Sequence, residues 1–110
     1  MRFKVILAPV KTEKTDQVVD AAKQAGATGA TIIPARGTGM NEAKTFFGLT
    51  LEVQTDVIMF LVEEHVVQDI LDAIKAAGEF SKPGTGIAFV LPVEQVIGVE
   101  SDMEQFRTKY

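Results

Sequence analysis

Two Gly-Thr-Gly tripeptides carry the residue types and spacing best suited to binding chemistry in this sequence: Gly37-Thr38-Gly39 and Gly84-Thr85-Gly86, each beside a strand-like run. Successive backbone N–H groups in a glycine turn can converge into a nest that holds an anion. The same tripeptides equally suit tight turns in which glycine only supplies a positive φ, and the residues alone leave both readings open. Neither is a strict nucleotide motif. No Gly-Lys-Ser/Thr occurs, and Gly37-Thr38-Gly39-Met40-Asn41-Glu42 lacks the third glycine of a dinucleotide fingerprint. Arg36 and Lys82 are the cations nearest the turns, placed either to pair with a phosphate or carboxylate or to stand in solvent.

Catalytic chemistry finds less support. The chain has no Cys, which excludes a thiol nucleophile, a disulfide framework and a Cys-ligated metal. His65 follows Glu63-Glu64, but these neighbours lack ligand spacing and read as an exposed helix start. Asp16, Asp20, Asp69 and Asp72 fall on solvated helix faces, and no nucleophile–base pair emerges. No catalytic and no metal residue is therefore assigned. Phe46 and Phe47, near Leu49 and Leu51, offer apolar anchors that either meet a partner or fold back into the core.

These residues must be held by a small frame. The chain has 110 residues and a net charge of −4, which suits one domain and disfavours broad nucleic-acid binding. Its strongest apolar run, Val57 to Val62, is far short of the roughly 20 residues that span a bilayer. With no signal-peptide pattern at Met1-Arg2-Phe3-Lys4, a cytoplasmic location without membrane insertion is expected. Phe3 to Pro9 reads as a strand, and a helix from about Thr15 carries Val18, Val19, Ala22 and Ala25 on one face before Gly26. Thr31-Ile32-Ile33 is a short strand whose Pro34 suggests a sheet edge or bulge. Arg36 to Thr55 is irregular, and so long a stretch is often functional.

Val57 to Val62 is a third strand; Val66, Val67, Ile70, Leu71, Ile74 and Ala77 stripe a second helix ended by Gly78. Ile87 to Leu91 is a fourth strand, with a possible short extra strand over Val93 to Val99. The order βαββαβ is that of an α+β, ferredoxin-like sandwich spanning residues 1–110 as a single domain. Helices can cover only one face of its sheet. The third and fourth strands are nevertheless apolar on both, which predicts that other copies cover the second face; tolerated surface apolar residues are the alternative.

Several segments together resemble the P-II family of nitrogen-regulatory signalling proteins: Gly26-Ala27-Thr28-Gly29-Ala30-Thr31-Ile32, Arg36-Gly37-Thr38-Gly39, and Gly84-Thr85-Gly86 leading into Phe89-Val90-Leu91-Pro92-Val93-Glu94. The resemblance covers about residues 1–100. It implies a cytoplasmic homotrimer that binds adenine nucleotides between subunits and moves a long T-loop, here about 40–52, to engage a transporter, enzyme or regulator. It places Thr31 and the backbone near Leu61 beside the adenine, Gly37 and Gly39 at the T-loop base, and Gly84, Thr85 and Gly86 around the phosphates, with Gly29 and Thr38 also among the ligand-binding residues. Asn41 stands where the family usually has a Gln that helps hold magnesium and 2-oxoglutarate. Ile87, Gly98 and Glu100 occupy positions of family cations, the loop is shorter, and it carries no Tyr for uridylylation.

The resulting expectation is a non-catalytic regulator with no fixed cofactor and with ATP, ADP or AMP, or another small anion, as effector. The ligand would touch both glycine turns, with Arg36 and Lys82 as cations, and Phe46, Phe47 and Leu49 would face the partner. The tail of about residues 100–110 is an extension. A ligand-free trimeric adaptor and a small hydrolase on the same fold are the alternatives.

Overall fold

Strand β1 (Phe3–Lys11) alternates between a face that is sealed and one that is not: Ile6, Ala8 and Val10 are fully buried, while Val5 and Leu7 are only half-buried. The computed structural model describes residues 2–36, 45–46, 49–50 and 54–99. A single 3-10 turn leads from β1 into α1 (Thr15–Gln24), which buries Val18, Val19 and Ala22 and ends before Gly26 at φ 126°. Then come β2 (Thr31–Ala35), the two-residue strands β3 (Thr45–Phe46) and β4 (Leu49–Thr50), and β5 (Thr55–Glu63). After another 3-10 turn, α2 (Val67–Ala77) buries Ile70 and Ile74, and β6 (Phe89–Pro92) completes the sheet.

The main sheet has the order β2-β5-β1-β6, every neighbouring pair antiparallel. This is the expected ferredoxin-like arrangement, with the short β3–β4 pair as a separate two-stranded ribbon. Both helices pack on one face, where Ile58, Phe60 and Val62 of β5 join Ile6, Ala8 and Val10 in the core. Pro34 lies on the edge strand β2, as its missing N–H requires.

Several boundaries differ from the sequence reading: β1 runs past Pro9 to Lys11 and β2 past Ile33 to Ala35. Strand β5 starts at Thr55, two residues early, and extends to Glu63. The regular last strand begins at Phe89, although Gly86 and Ile87 keep its register against β1: Ile87 donates to the Pro9 carbonyl at 3.1 Å, and Pro9, having no N–H, cannot donate back. Residues 93–99 form no strand, since the chain itself offers them no ladder partner. No described helix is long and apolar enough to cross a membrane.

The opposite sheet face is open and apolar. Register places Ile33 beside Val57, Val57 beside Pro9, Leu7 beside Phe89 and Val5 beside both Leu61 and Leu91. Directly opposed residues project to the same side. Ile33 and Leu91 are each 44% exposed there, and Ile97, beyond the last strand, is 92% exposed.

Candidate functional site

The second glycine turn grows out of the end of α2. The N–H of Gly78 closes the helix on the Ile74 carbonyl at 2.8 Å. Gly78 is needed there for space, since a Cβ would lie 2.4 Å from Cε1 of Phe80. The left-handed residue is instead Glu79, at φ 55°. Its carbonyl accepts the Lys82 N–H and the Thr85 hydroxyl, both at 2.9 Å. The Thr85 hydroxyl also lies 2.9 Å from the Lys82 carbonyl, and the residue is buried.

Gly84 then takes φ 77°, a conformation glycine adopts without steric cost. Gly86 is required for close approach: a Cβ would stand 2.7 Å from Phe80 Cε1 and 2.9 Å from the Pro9 carbonyl oxygen. Gly86 bridges to Val10 of β1. The turn is thus fixed to the sheet at its close-packed glycine, Gly86.

Charge gathers on the approach to this turn. The Glu79 carboxylate accepts from Lys14, in the 3-10 turn after β1, and from Lys82 at 2.8 Å. These two lysines hold the Glu79 carboxyl down to about 2, with the Lys14 hydrogen bond the largest cause. The same pairing raises the Lys82 ammonium above its ordinary value. Lys82, a cation singled out from sequence, is therefore already engaged within the chain.

The fold sorts the remaining candidates by sheet end. Val10 is bridged to Gly86, its neighbour Lys11 opposes Thr55, and Thr55 opposes Ala35, after which Arg36 is exposed. The second glycine turn and the base of the 36–54 segment therefore share one end of the sheet, on opposite edges about 14 Å apart at ordinary strand spacing. Thr31 opposes Met59 and Leu61 opposes Val5, so these lie roughly 13 and 20 Å along the strands from that end. Gly29 is exposed just before Thr31. One copy does not bring Gly29, Thr31 and Leu61 against Gly84, Thr85 and Gly86. Gly37, Thr38, Gly39, Asn41 and Phe47 lie outside the described residues; Phe46 and Leu49 oppose each other as β3–β4 partners.

Two features escaped sequence reasoning. Thr15 donates its hydroxyl to the buried Asp56 carboxylate at 2.7 Å, joining the start of α1 to the start of β5 across 41 residues. Next to Asp56 in sequence, the buried Thr55 hydroxyl has no hydrogen-bond partner among the described residues. Glu79 was also passed over, although Glu79 and Lys82 stand at i,i+3; its second partner is 65 residues away in sequence. His65 is exposed, with Nδ1 3.5 Å from Glu63. Among the described residues no three His, Asp or Glu side chains converge as a metal site.

Known proteins share both sequence and fold with the chain. The profile of the family described as "Nitrogen regulatory protein P-II" matches residues 3–103. Nitrogen regulatory protein P-II of Azospirillum brasilense is 30% identical over 104 residues, covering 90% of this chain and 93% of that protein. The Nostoc punctiforme protein of the same name is 32% identical over the same span, and that of Pasteurella multocida 31% over 107 residues, covering 93% and 96% of the two chains. Among solved structures, CPII of Thiomonas intermedia bound to ADP, AMP and acetate superposes with a TM-score of 0.70 at 20% identity, covering 89% of this chain and 91% of that one. The shared fold and a family match running nearly end to end lead to one conclusion: the chain belongs to the P-II family and is a nitrogen-regulatory signal-transduction protein.

Proposed function

We propose that the protein acts as a cytoplasmic homotrimer, without catalysis. It binds an adenine nucleotide or another small anion in clefts between copies and signals to a partner protein through residues 40–52. The observation that carries this reading is the division of the candidate residues between opposite sheet edges and ends of one copy, beside an apolar face that copies can share. Gly29, Thr31 and Leu61 would receive the base. Arg36, Gly37, Thr38, Gly39, Asn41, Lys82, Gly84, Thr85 and Gly86 would surround the anion, and Phe46, Phe47 and Leu49 would meet the partner. The CPII structure, with ADP, AMP and acetate bound, supports the choice of ligand class.

Ligand binding would shift the population of arrangements at 40–55, because a ligand moves an equilibrium only by its differential affinity for the two states. Ile87, Gly98 and Glu100 replace family cations, so triphosphate gains little over mono- and diphosphate. Thermal shift and calorimetry with AMP, ADP and ATP, each with and without magnesium, test this. The expected result is a raised melting temperature with all three and weak discrimination among them. No stabilisation by any of them rules out the nucleotide reading. Micromolar ATP binding well above ADP and AMP shows instead that other cations stand in for the missing ones.

A further inference from the structure

The Glu79 carboxylate sits in the loop that leads into the second glycine turn and holds two of the cations nearest it. It spans Lys14 and Lys82, while its own carbonyl ties the Lys82 N–H and the Thr85 hydroxyl into the turn. Its backbone holds φ 55°, a conformation that costs an ordinary side chain free energy, so a residue here needs compensating contacts. The contacts present are the two ammonium groups on its side chain and the two donors on its carbonyl. The two lysines and the one carboxylate form a cluster with an excess positive charge beside the loop, with Lys82 directed at an internal anion.

We propose that Glu79 is a specificity-determining residue of the glycine-turn site, which competes with ligand phosphates for Lys82 and Lys14 and so suppresses discrimination by phosphate number. This rests on the reading of that turn as part of an anion site. A phosphate can recruit Lys82 only by displacing or sharing with Glu79, and each further negative charge on the ligand meets the same carboxylate. Backbone donors of the turn are untouched by this competition, since loop order comes from the Glu79 carbonyl and the Thr85 hydroxyl. The side chain therefore governs how steeply affinity grows with ligand charge, not whether the turn forms.

The test is calorimetry with AMP, ADP and ATP on the full chain and on Glu79→Gln and Glu79→Gly. Both substitutions delete the carboxylate. Glycine also accepts the left-handed backbone, so it keeps the comparison open should Gln disturb folding. The expected result is a rise of about three- to tenfold in ATP affinity with a smaller rise for AMP, the size expected for one partly exposed charge contact. The ATP-to-AMP ratio should climb accordingly and fall back in 0.5 M salt, where screening extends over only a few ångströms. An equal loss for all three nucleotides would mean that Glu79 only braces the loop, and an unchanged ratio that it does not compete; either overturns the proposal. Failure of the unsubstituted protein to bind any of the three removes the nucleotide reading and this inference with it. Binding with an unchanged ratio removes this inference alone.

Discussion

Glu79 serves two lysines with one carboxylate, and its acidity follows from that geometry. Its pKa lies at about 2 against an ordinary 4.5, so the unfolded chain takes up the proton first as acid is added. The stabilising contribution is complete above about pH 4.5 and is lost as the pH falls through about 2. Urea melts of the protein and of Glu79→Gln should differ at pH 6 and converge toward pH 2; a difference that persists unchanged at low pH would contradict the pairing. Because the group is half-exposed, salt should shrink the same difference. Thr15 presents the buried counterpart. Thr15→Val keeps the shape but leaves the Asp56 carboxylate without that donor, at an expected cost of about 1–3 kcal/mol in urea denaturation. Neither role was legible beforehand. Asp56 reads as the polar edge of an apolar strand, and the Lys14 partner of Glu79 lies too far along the chain for spacing to reveal it.

The elements were more legible than the contacts between them, because periodicity is local and register is not. Three- and four-residue spacing marks both helices, and the unbroken apolar run from Val57 to Val62 marks the central strand β5. Pro34 marks an edge through its missing N–H alone. Strand ends depend on distant partners: the ladder is interrupted at Ile87 because its register partner, Pro9, has no N–H to return, a pairing that no neighbouring residue encodes. The glycines show the same limit. Sequence marks Gly84, Thr85 and Gly86 as a turn, yet only the fold separates the left-handed Gly84 from the crowded Gly86. Gly86→Ala must push a methyl against the Pro9 carbonyl at 2.9 Å, which is backbone inside the sheet and cannot yield cheaply. It should lower the melting temperature markedly and loosen the amides of the turn in hydrogen exchange. Gly29→Ala meets nothing within 4 Å and should leave the melting temperature nearly unchanged. Equal tolerance at both positions would mean that Gly86 is not held against β1.

At the scale of the whole molecule, the distribution of apolar side chains departs most from what one copy needs. The helices cover one sheet face except at its β2 edge, where Ile32 is 46% exposed, while Val5, Leu7, Val57, Met59 and Leu61 stay half-exposed on the other, with Ile33, Phe89 and Leu91 more exposed still. Removing such surface from water is worth about 25 cal/mol per Å², so copies that bring these faces together gain several kcal/mol from a few hundred Å². The proposed intersubunit site further requires that this packing bring the β2 edge of one copy near the glycine turn of another. Leu91 tests the two ideas jointly. It is 44% exposed in one copy, so Leu91→Asp leaves the helix-side core of Ile6, Ile58 and Phe60 intact. In an assembly, however, the carboxylate would be buried against apolar neighbours without a partner, at a cost of several kcal/mol. Light scattering in dilute solution should therefore give three chain masses for the unsubstituted protein and one for Leu91→Asp, with matching far-ultraviolet circular dichroism. Calorimetry on the same samples should show nucleotide binding lost together with assembly. A variant that is monomeric, folded and still binds nucleotide with full affinity would place the whole site within one copy; an unsubstituted protein that is already monomeric would leave the apolar face without the role assigned to it.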